Sequence, residues 1–339
     1  MKFKRISVDT SKSVFTLHGI DEQDERTLRR DLRRSQFEAF FAKLAPTEVA
    51  MEACGGSHHW ARRLASFGHQ VRLIPPQYVK PFVKRGKNDR NDAEAISEAA
   101  SRPAMRTVPV KSAEQQSQMM VPRVRELLVR QRTQQVNALR GHAAEFGIVA
   151  PKGIARVDTL LAMVASNPQL PPEAREMLQF LGRQIARQDE ELAAINAKLK
   201  KLHKANAVSQ LLEAVPGIGA LSAITLTLAV DPAQFKSGRH LAAWLGLTPK
   251  ERSTGGKHQT GGISRAGNER LRQLLVVGAM AVVRHASQGS KSASPWLLKL
   301  LERRPSRKLV AVALANKMAR IVWAMMTSGE EYRRQPINP

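Results

Sequence analysis

The spacing of apolar and polar positions changes period several times in the first hundred residues. Residues 3 to 8 (Phe-Lys-Arg-Ile-Ser-Val) read as a strand that ends at Asp9, Ser13 to Leu17 as its hairpin partner, and Arg26 to Leu32 as a third strand. From Gln36 to Ala45 the period lengthens to that of a helix, with Phe37, Phe40, Phe41 and Leu44 on one face. Thr47 to Met51 is a short strand ending at Glu52, Ser57 to Phe67 a helix, and Val71 to Ile74 a strand closed by Pro75 and Pro76. The stretch KNDRNDAEAI, 87 to 96, then opens a helix with Ala93, Ile96 and Ala100 on its inner face. The order is three strands, helix, strand, helix, strand, helix.

Farther on the pattern is helical. Ser112 to about Ala144 carries a broken apolar stripe (Val124, Leu127, Leu128, Val136, Leu139) between Arg123, Arg125, Arg130, Arg132 and Arg140. After a short helix, 157 to 165, a second long helix starts at Pro171-Pro172-Glu173. In it Leu178, Leu181, Ile185, Gln188, Leu192, Ile195, Leu199 and Leu202 recur at gaps of three and four. Such a seam suits a helix on the chain's own core almost as well. The reading favoured is an antiparallel coiled-coil hairpin that also dimerises. LLEAVPGIG, 211 to 219, followed by a small-residue helix, 220 to 229, reads as a helix-hairpin-helix. Two last helices follow: 269 to 284, burying Leu271, Leu274, Leu275, Ala279 and Val282, and 305 to 326, burying Leu309, Val312, Ala313, Ala319 and Trp323. The expected division is an α/β domain (1–108), a helical dimerisation region (109–205) and a mainly α C-terminal domain (206–330).

Charge narrows the class of partner. Over 339 residues, 54 Lys and Arg face 29 Asp and Glu, a formal charge of +25. That balance points to a polyanion, nucleic acid before anionic membrane. Cys54 is alone, which excludes an internal disulfide and a multi-cysteine zinc site and suits a reducing cytoplasm. No apolar run near the N-terminus has the length of a signal peptide, and 309 to 326 is interrupted by Asn316, Lys317 and Arg320. A cytoplasmic protein without a membrane partner is expected.

Within this frame four acids stand out. Asp89 and Asp92, three apart on a helix, point along one face. Asp9 and Glu52 close two strands. Singly, each is better read as a turn or surface acid, and the pair as an acidic first turn favoured by the helix dipole. Together they occupy the slots of a ribonuclease-H-like domain, where strand ends and a helix converge on two metal ions roughly 4 Å apart that stabilise the attacking and leaving oxygens of a phosphodiester. Hard carboxylate oxygen suits Mg²⁺, with Mn²⁺ as the alternative. His58 and His59 read as the first turn of a helix capped by Ser57.

Two segments offer phosphate contacts. In Pro216-Gly217-Ile218-Gly219 the glycines let the backbone approach a phosphate, and the next helix supplies free N–H groups. Between Pro249 and Asn268 lie Lys250, Arg252, Lys257 and Arg265, five glycines and the hydroxyls Ser253, Thr254, Thr260 and Ser264, which read as a flexible loop against a phosphate backbone. A hydroxyl there could attack phosphorus and form a covalent ester, although on composition alone simple contact is the commoner role.

Taken together, SVDTSK (7–12), MEACG (51–55), KNDRNDA (87–93), VPGIG (215–219) and LTPKERSTGGK…GISRAGN (247–268) resemble the DEDD transposases of bacterial insertion sequences, nearly end to end. The resemblance implies a RuvC-like domain in which Asp9, Glu52, Asp89 and Asp92 hold Mg²⁺, and a separate serine-bearing transposase domain. A hydroxyl of the 253–254 pair would attack the DNA strand, leaving a phosphoserine link and a free 3′-hydroxyl that rejoins to the exchanged strand. It further implies donor and target DNA, an element-encoded structured guide RNA, a dimer or tetramer, and a place beside the nucleoid. In some relatives the serine directly precedes the glycine, a slot held here by Thr254. The less hindered primary alcohol favours Ser253, with Thr254 as runner-up and Ser264 as an outsider. The alternatives are a metal-dependent junction-resolving nuclease that uses water, and a non-enzymatic architectural protein.

Overall fold

The computed structural model describes residues 2–84, 88–289, 293–304 and 306–333; Arg85 to Lys87, at the start of the acidic motif, and Pro305 lie outside them. The chain divides into two compact units, Met1–Ser117 and Gln118–Pro339.

The first unit is built on five strands: β1 (Arg5–Thr10), β2 (Val14–Ile20), β3 (Arg26–Arg33), β4 (Glu48–Glu52) and β5 (Gln70–Ile74). Their order is β3-β2-β1-β4-β5; β1 is antiparallel to β2 and parallel to β4, and β5 is parallel to β4. Between them run α1 (Arg34–Phe41) and α2 (Ser57–Ala65), and after β5 come α3 (Pro76–Val79) and α4 (Asp89–Ser101). Strand alternation sorts the side chains between two faces. Ile6, Val8, Val49 and Met51 pack with Phe37 and Phe41 of α1 and Trp60 and Leu64 of α2. Ala50 and Ile74 face the other way, against Ala95, Ile96, Ala99 and Ala100 of α4. Asp9 and Glu52 share the parity of the α4 side. Arg5 fastens that side by pairing with Glu48 and donating to the Ser97 carbonyl at 3.3 Å.

Among the described residues, the second unit is helical apart from one ribbon. It takes in α5 (Ala113–Glu145, its first turn in the first unit), α6 (Val157–Ser166), α7 (Pro172–Lys204), α8 (Ala207–Glu213), α9 (Ala220–Ala229) and α10 (Gly238–Trp244). Strands β6 (Pro249–Glu251) and β7 (Thr260–Ile263) come next, then α11 (Glu269–Ser287), α12 (Pro295–Arg303) and α13 (Arg307–Ser328). Leu178, Ile185, Leu192 and Leu199 of α7, seven apart, are buried, whereas the intervening seam positions are half-buried. Val136, Leu139 and Ala143 of α5 join Leu178 and Ile185 in one core with α6. Arg125 donates to Asn196 at 2.7 Å and Arg132 pairs with Asp189, so α5 and α7 also meet through polar side chains.

A separate core unites α8 to α13. Here the expected inner face of α13 needs correcting. Leu309 is exposed, and the buried stripe is Val310, Ala311, Leu314, Ala315, Met318, Ala319, Val322 and Met325. The helix arrives one residue later in its turn than the first leucine suggested. By length and composition α13 could cross a membrane, yet its stripe is packed inside this core.

Candidate active site

The parallel pairing of β1 with β4 matches Val8 to Met51, so the next residues, Asp9, one before the end of β1, and Glu52, the last of β4, stand on neighbouring strands. Just beyond them, Thr10 Oγ1 and Cys54 Sγ lie 3.1 Å apart. Helix α4 begins at the same edge. Asn88 caps it by accepting from the Arg90 N–H at 3.0 Å, which fixes the first turn and with it Asp89 and Asp92. Carboxylate oxygens of Asp9, Asp89 and Asp92 fall within 4.8 Å of one another. Glu52 stands outside that trio.

Electrostatics ties all four together. Burial first, then the charges of Asp92, Asp89 and Glu52, pushes Asp9 up to about 6, against a weaker pull from a Thr10 backbone hydrogen bond. Burial and Asp92 raise Glu52 as well. Carboxylates that repel at such range are stabilised by a proton or by a cation between them. The donor set is all oxygen, which fits a hard divalent ion.

The segment expected as a loop is a β-hairpin. Pro249 pairs with Ile263 and Glu251 with Thr260, and Thr254 and Lys257 bond reciprocally through their backbones. Gly255 and Gly256, at φ +54° and +76°, make the two-residue turn, a conformation that matches the twist of a ribbon and that other residues resist. A groove along it is lined by Lys250, Arg252, His258, Gln259, Thr260 and Arg265, with Gly261, Gly262 and Ile263. At the ribbon's base, Arg265 holds φ +56°, its N–H donates to the Gly246 carbonyl, and Arg272 donates to the carbonyls of Leu245 and Ala266. Ser253 Oγ donates to Glu251 Oε1 at 3.0 Å, with His258 Nδ1 3.5 Å away.

Glu251 and His258 escaped the sequence reading. The signal was present: a Gly-Gly turn places residue 253 opposite 258 and residue 251 on the same side as 253.

In the 216–219 turn the roles divide. Gly217, at φ +89°, packs against α11, where a Cβ on Gly278 would lie 1.9 Å from the Gly217 oxygen. Ile218 is buried in the core, and its N–H donates to the Val215 carbonyl. Pro216 and Gly219 are exposed, and nothing lies within 4 Å of where a Gly219 Cβ would be. Gly219 stands just before α9, whose first turn has no side-chain cap.

The histidine pair is structural. His58 Nδ1 accepts from the Lys111 N–H, and His59 packs edge-on against Trp60. Ser57 does not cap α2 as expected. It is buried and donates to the Cys54 carbonyl, which leaves Gly56 at the cap position.

Residues 6–147 match the DEDD transposase model of the IS110 group, and 209–294 match the family described as transposase IS116/IS110/IS902. A putative transposase of Sinorhizobium fredii is 52% identical over 332 residues, covering 97% of this chain and 86% of that protein. A probable family 20 transposase of Pseudomonas aeruginosa is 47% identical over 98% of this chain and 99% of its own. The transposase of a Coxiella burnetii insertion sequence element is 40% identical over 97% and 91%.

Proposed function

From the premise that the chain belongs to the IS116/IS110/IS902 family of insertion-sequence transposases, enzymes of DNA strand transfer, we propose a serine-based cut-and-rejoin mechanism. The observation that carries the strand-cutting site is the convergence of Asp9, Asp89 and Asp92 within 4.8 Å, and the Ser253 Oγ hydrogen bond to Glu251 favours that serine as its nucleophile. In this reading those three and Glu52 hold Mg²⁺, or Mn²⁺, in a ribonuclease-H-like (RuvC-like) domain. The bound ion would offset negative charge on the scissile phosphate.

The chain's own groups do the rest. Lys250, Arg252 and Arg265 in the ribbon groove hold the DNA backbone beside Ser253, with Lys257 at the turn. Ser253 Oγ attacks phosphorus, its ester to the strand forms, and the 3′-oxygen leaves as a hydroxyl free to rejoin the exchanged strand. Ser253 is favoured over Thr254 because its primary alcohol is unhindered and already hydrogen-bonded in the ribbon. The exposed Gly219 and the uncapped start of α9 are suited to a second, sequence-independent phosphate contact, and the 207–229 segment serves as a helix-hairpin-helix. The acids belong to the first unit and Ser253 to the second, so the reading requires the two to be brought to one phosphate, within a chain or between copies. A homodimer through the α5–α7 region, or a tetramer on DNA, meets that need. The domain borders 1–108, 109–205 and 206–330 are retained as functional divisions. A structured RNA encoded with the element would select donor and target, which spares the protein base readout. All of this belongs in the bacterial cytoplasm, at the nucleoid.

The test is a covalent DNA–protein adduct on supercoiled plasmid carrying the element's junction, with the element's noncoding flank supplied as transcript. Adducts are expected with wild type and Thr254→Ala and absent with Ser253→Ala. Mg²⁺-dependent nicking that persists in Ser253→Ala would instead establish the junction-nuclease reading with water as nucleophile.

A further inference from the structure

The ribbon carries titratable groups that the acid cluster leaves unused. Ser253 Oγ donates to Glu251 Oε1 at 3.0 Å; His258 Nδ1 stands 3.5 Å from that Oγ and 3.6 Å from that Oε1. The turn puts all three side chains on one face of the ribbon. Residues 251 and 253 share one face of their strand, and 258 is the cross-strand neighbour of 253. Thr254, one position on, has the opposite parity. Of the three, His258 also lines the groove with Lys250, Arg252 and Arg265, the basic side chains proposed to hold a phosphate backbone.

A serine hydroxyl is a weak nucleophile until a base takes its proton. We infer that Glu251 and His258 are the proton-accepting pair that activates Ser253, an inference that rests on the serine chemistry proposed above. Glu251 is the immediate acceptor, because its oxygen is within ordinary hydrogen-bond reach. His258 takes the proton on, since imidazole is a stronger base than a carboxylate. In the step, the Ser253 O–H bond breaks as Oγ–P forms, and the proton passes to the pair. P–O3′ breaks, and the departing 3′-oxygen takes a proton from solvent, to which His258 later returns its own. The pair also selects the nucleophile, since Thr254 has neither acceptor on its face of the ribbon.

Diisopropyl fluorophosphate, applied to the full chain, reads this without DNA, RNA or metal. Ser253 oxygen adds to phosphorus, fluoride leaves, and peptide mass spectrometry locates the adduct. Labelling of Ser253 is expected to outpace that of Ser264 in the same chain and to fall at least about tenfold in Glu251→Gln and in His258→Ala. Imidazole in the buffer should restore His258→Ala, a rescue that a merely structural histidine would not show. The Glu251 and His258 side chains are 66% and 84% exposed, so neither substitution removes packing on which folding depends. Labelling equal to wild type in both variants, or no faster than at Ser264 in wild type, overturns the inference. DNA adducts forming at the wild-type rate in both variants also overturn it, while leaving the serine chemistry standing. Absence of any DNA adduct despite fast labelling overturns the serine chemistry itself.

Discussion

Asp9 sits where two costs meet, loss of water and the nearness of like charge, and its behaviour with pH follows. It rises to about 6 in the fold from an ordinary 3.8. The folded chain therefore keeps a proton that the unfolded chain has already lost between those values. Stability contributed by this group is fully present below about 3.8 and is lost as pH rises through about 6. Asp9→Asn removes the repulsion, so without divalent ions it should raise stability at about pH 7.5 by on the order of 1 kcal/mol after allowing for solvent screening. The gain should vanish near pH 4, which urea unfolding at the two pH values checks. The same variant should lose the stabilisation that Mg²⁺ or Mn²⁺ gives wild type, expected at roughly 2–3 kcal/mol at a hundred times the dissociation constant. A wild type indifferent to both ions would count against the metal assignment.

At the scale of elements, the first hundred residues were the most legible part. All five strands and the three main helices fall within a few residues of the reading, because one-sided burial imposes period two on a strand and 3.6 on a helix. The acids could be picked out because strand ends and helix starts are where such a sheet gathers polar groups. The ribbon at 249–263 was missed, since its strands are short and exposed and carry no apolar alternation. Only the Gly-Gly pair marked it. Leu309 misled for a related reason: a helix apolar on several sides does not declare its buried face. The 216–219 turn yields a contrast between two glycines. Gly278→Ala places a Cβ 1.9 Å from the Gly217 oxygen and should cost about 2–3 kcal/mol, read as a lower thermal midpoint. Gly219→Ala meets nothing within 4 Å and should fold within about 0.5 kcal/mol of wild type. If the turn contacts phosphate, Gly219→Ala should nonetheless weaken DNA binding.

For the whole molecule, a charge of +25 makes DNA affinity strongly salt-dependent. If Lys250 and Arg252 each touch a phosphate, replacing either by Ala should reduce the slope of log affinity against log salt by about 1, uniformly across sequences. Unchanged slopes would place the DNA elsewhere. Under the proposal that an RNA chooses the sequence, such uniformity is the expected outcome, since basic side chains of the groove can hold a strand by its backbone.

The proposed mechanism also divides its groups between the two units along the gene. Codons for the acidic quartet are read by position 92, and the alcohol arrives only at 253. In the proposed mechanism, a reading frame broken between these points encodes carboxylates with no attacking oxygen. Under the serine mechanism, decaying copies of such an element fall silent as cutters of the chromosome before they lose the part of the protein that resembles a nuclease.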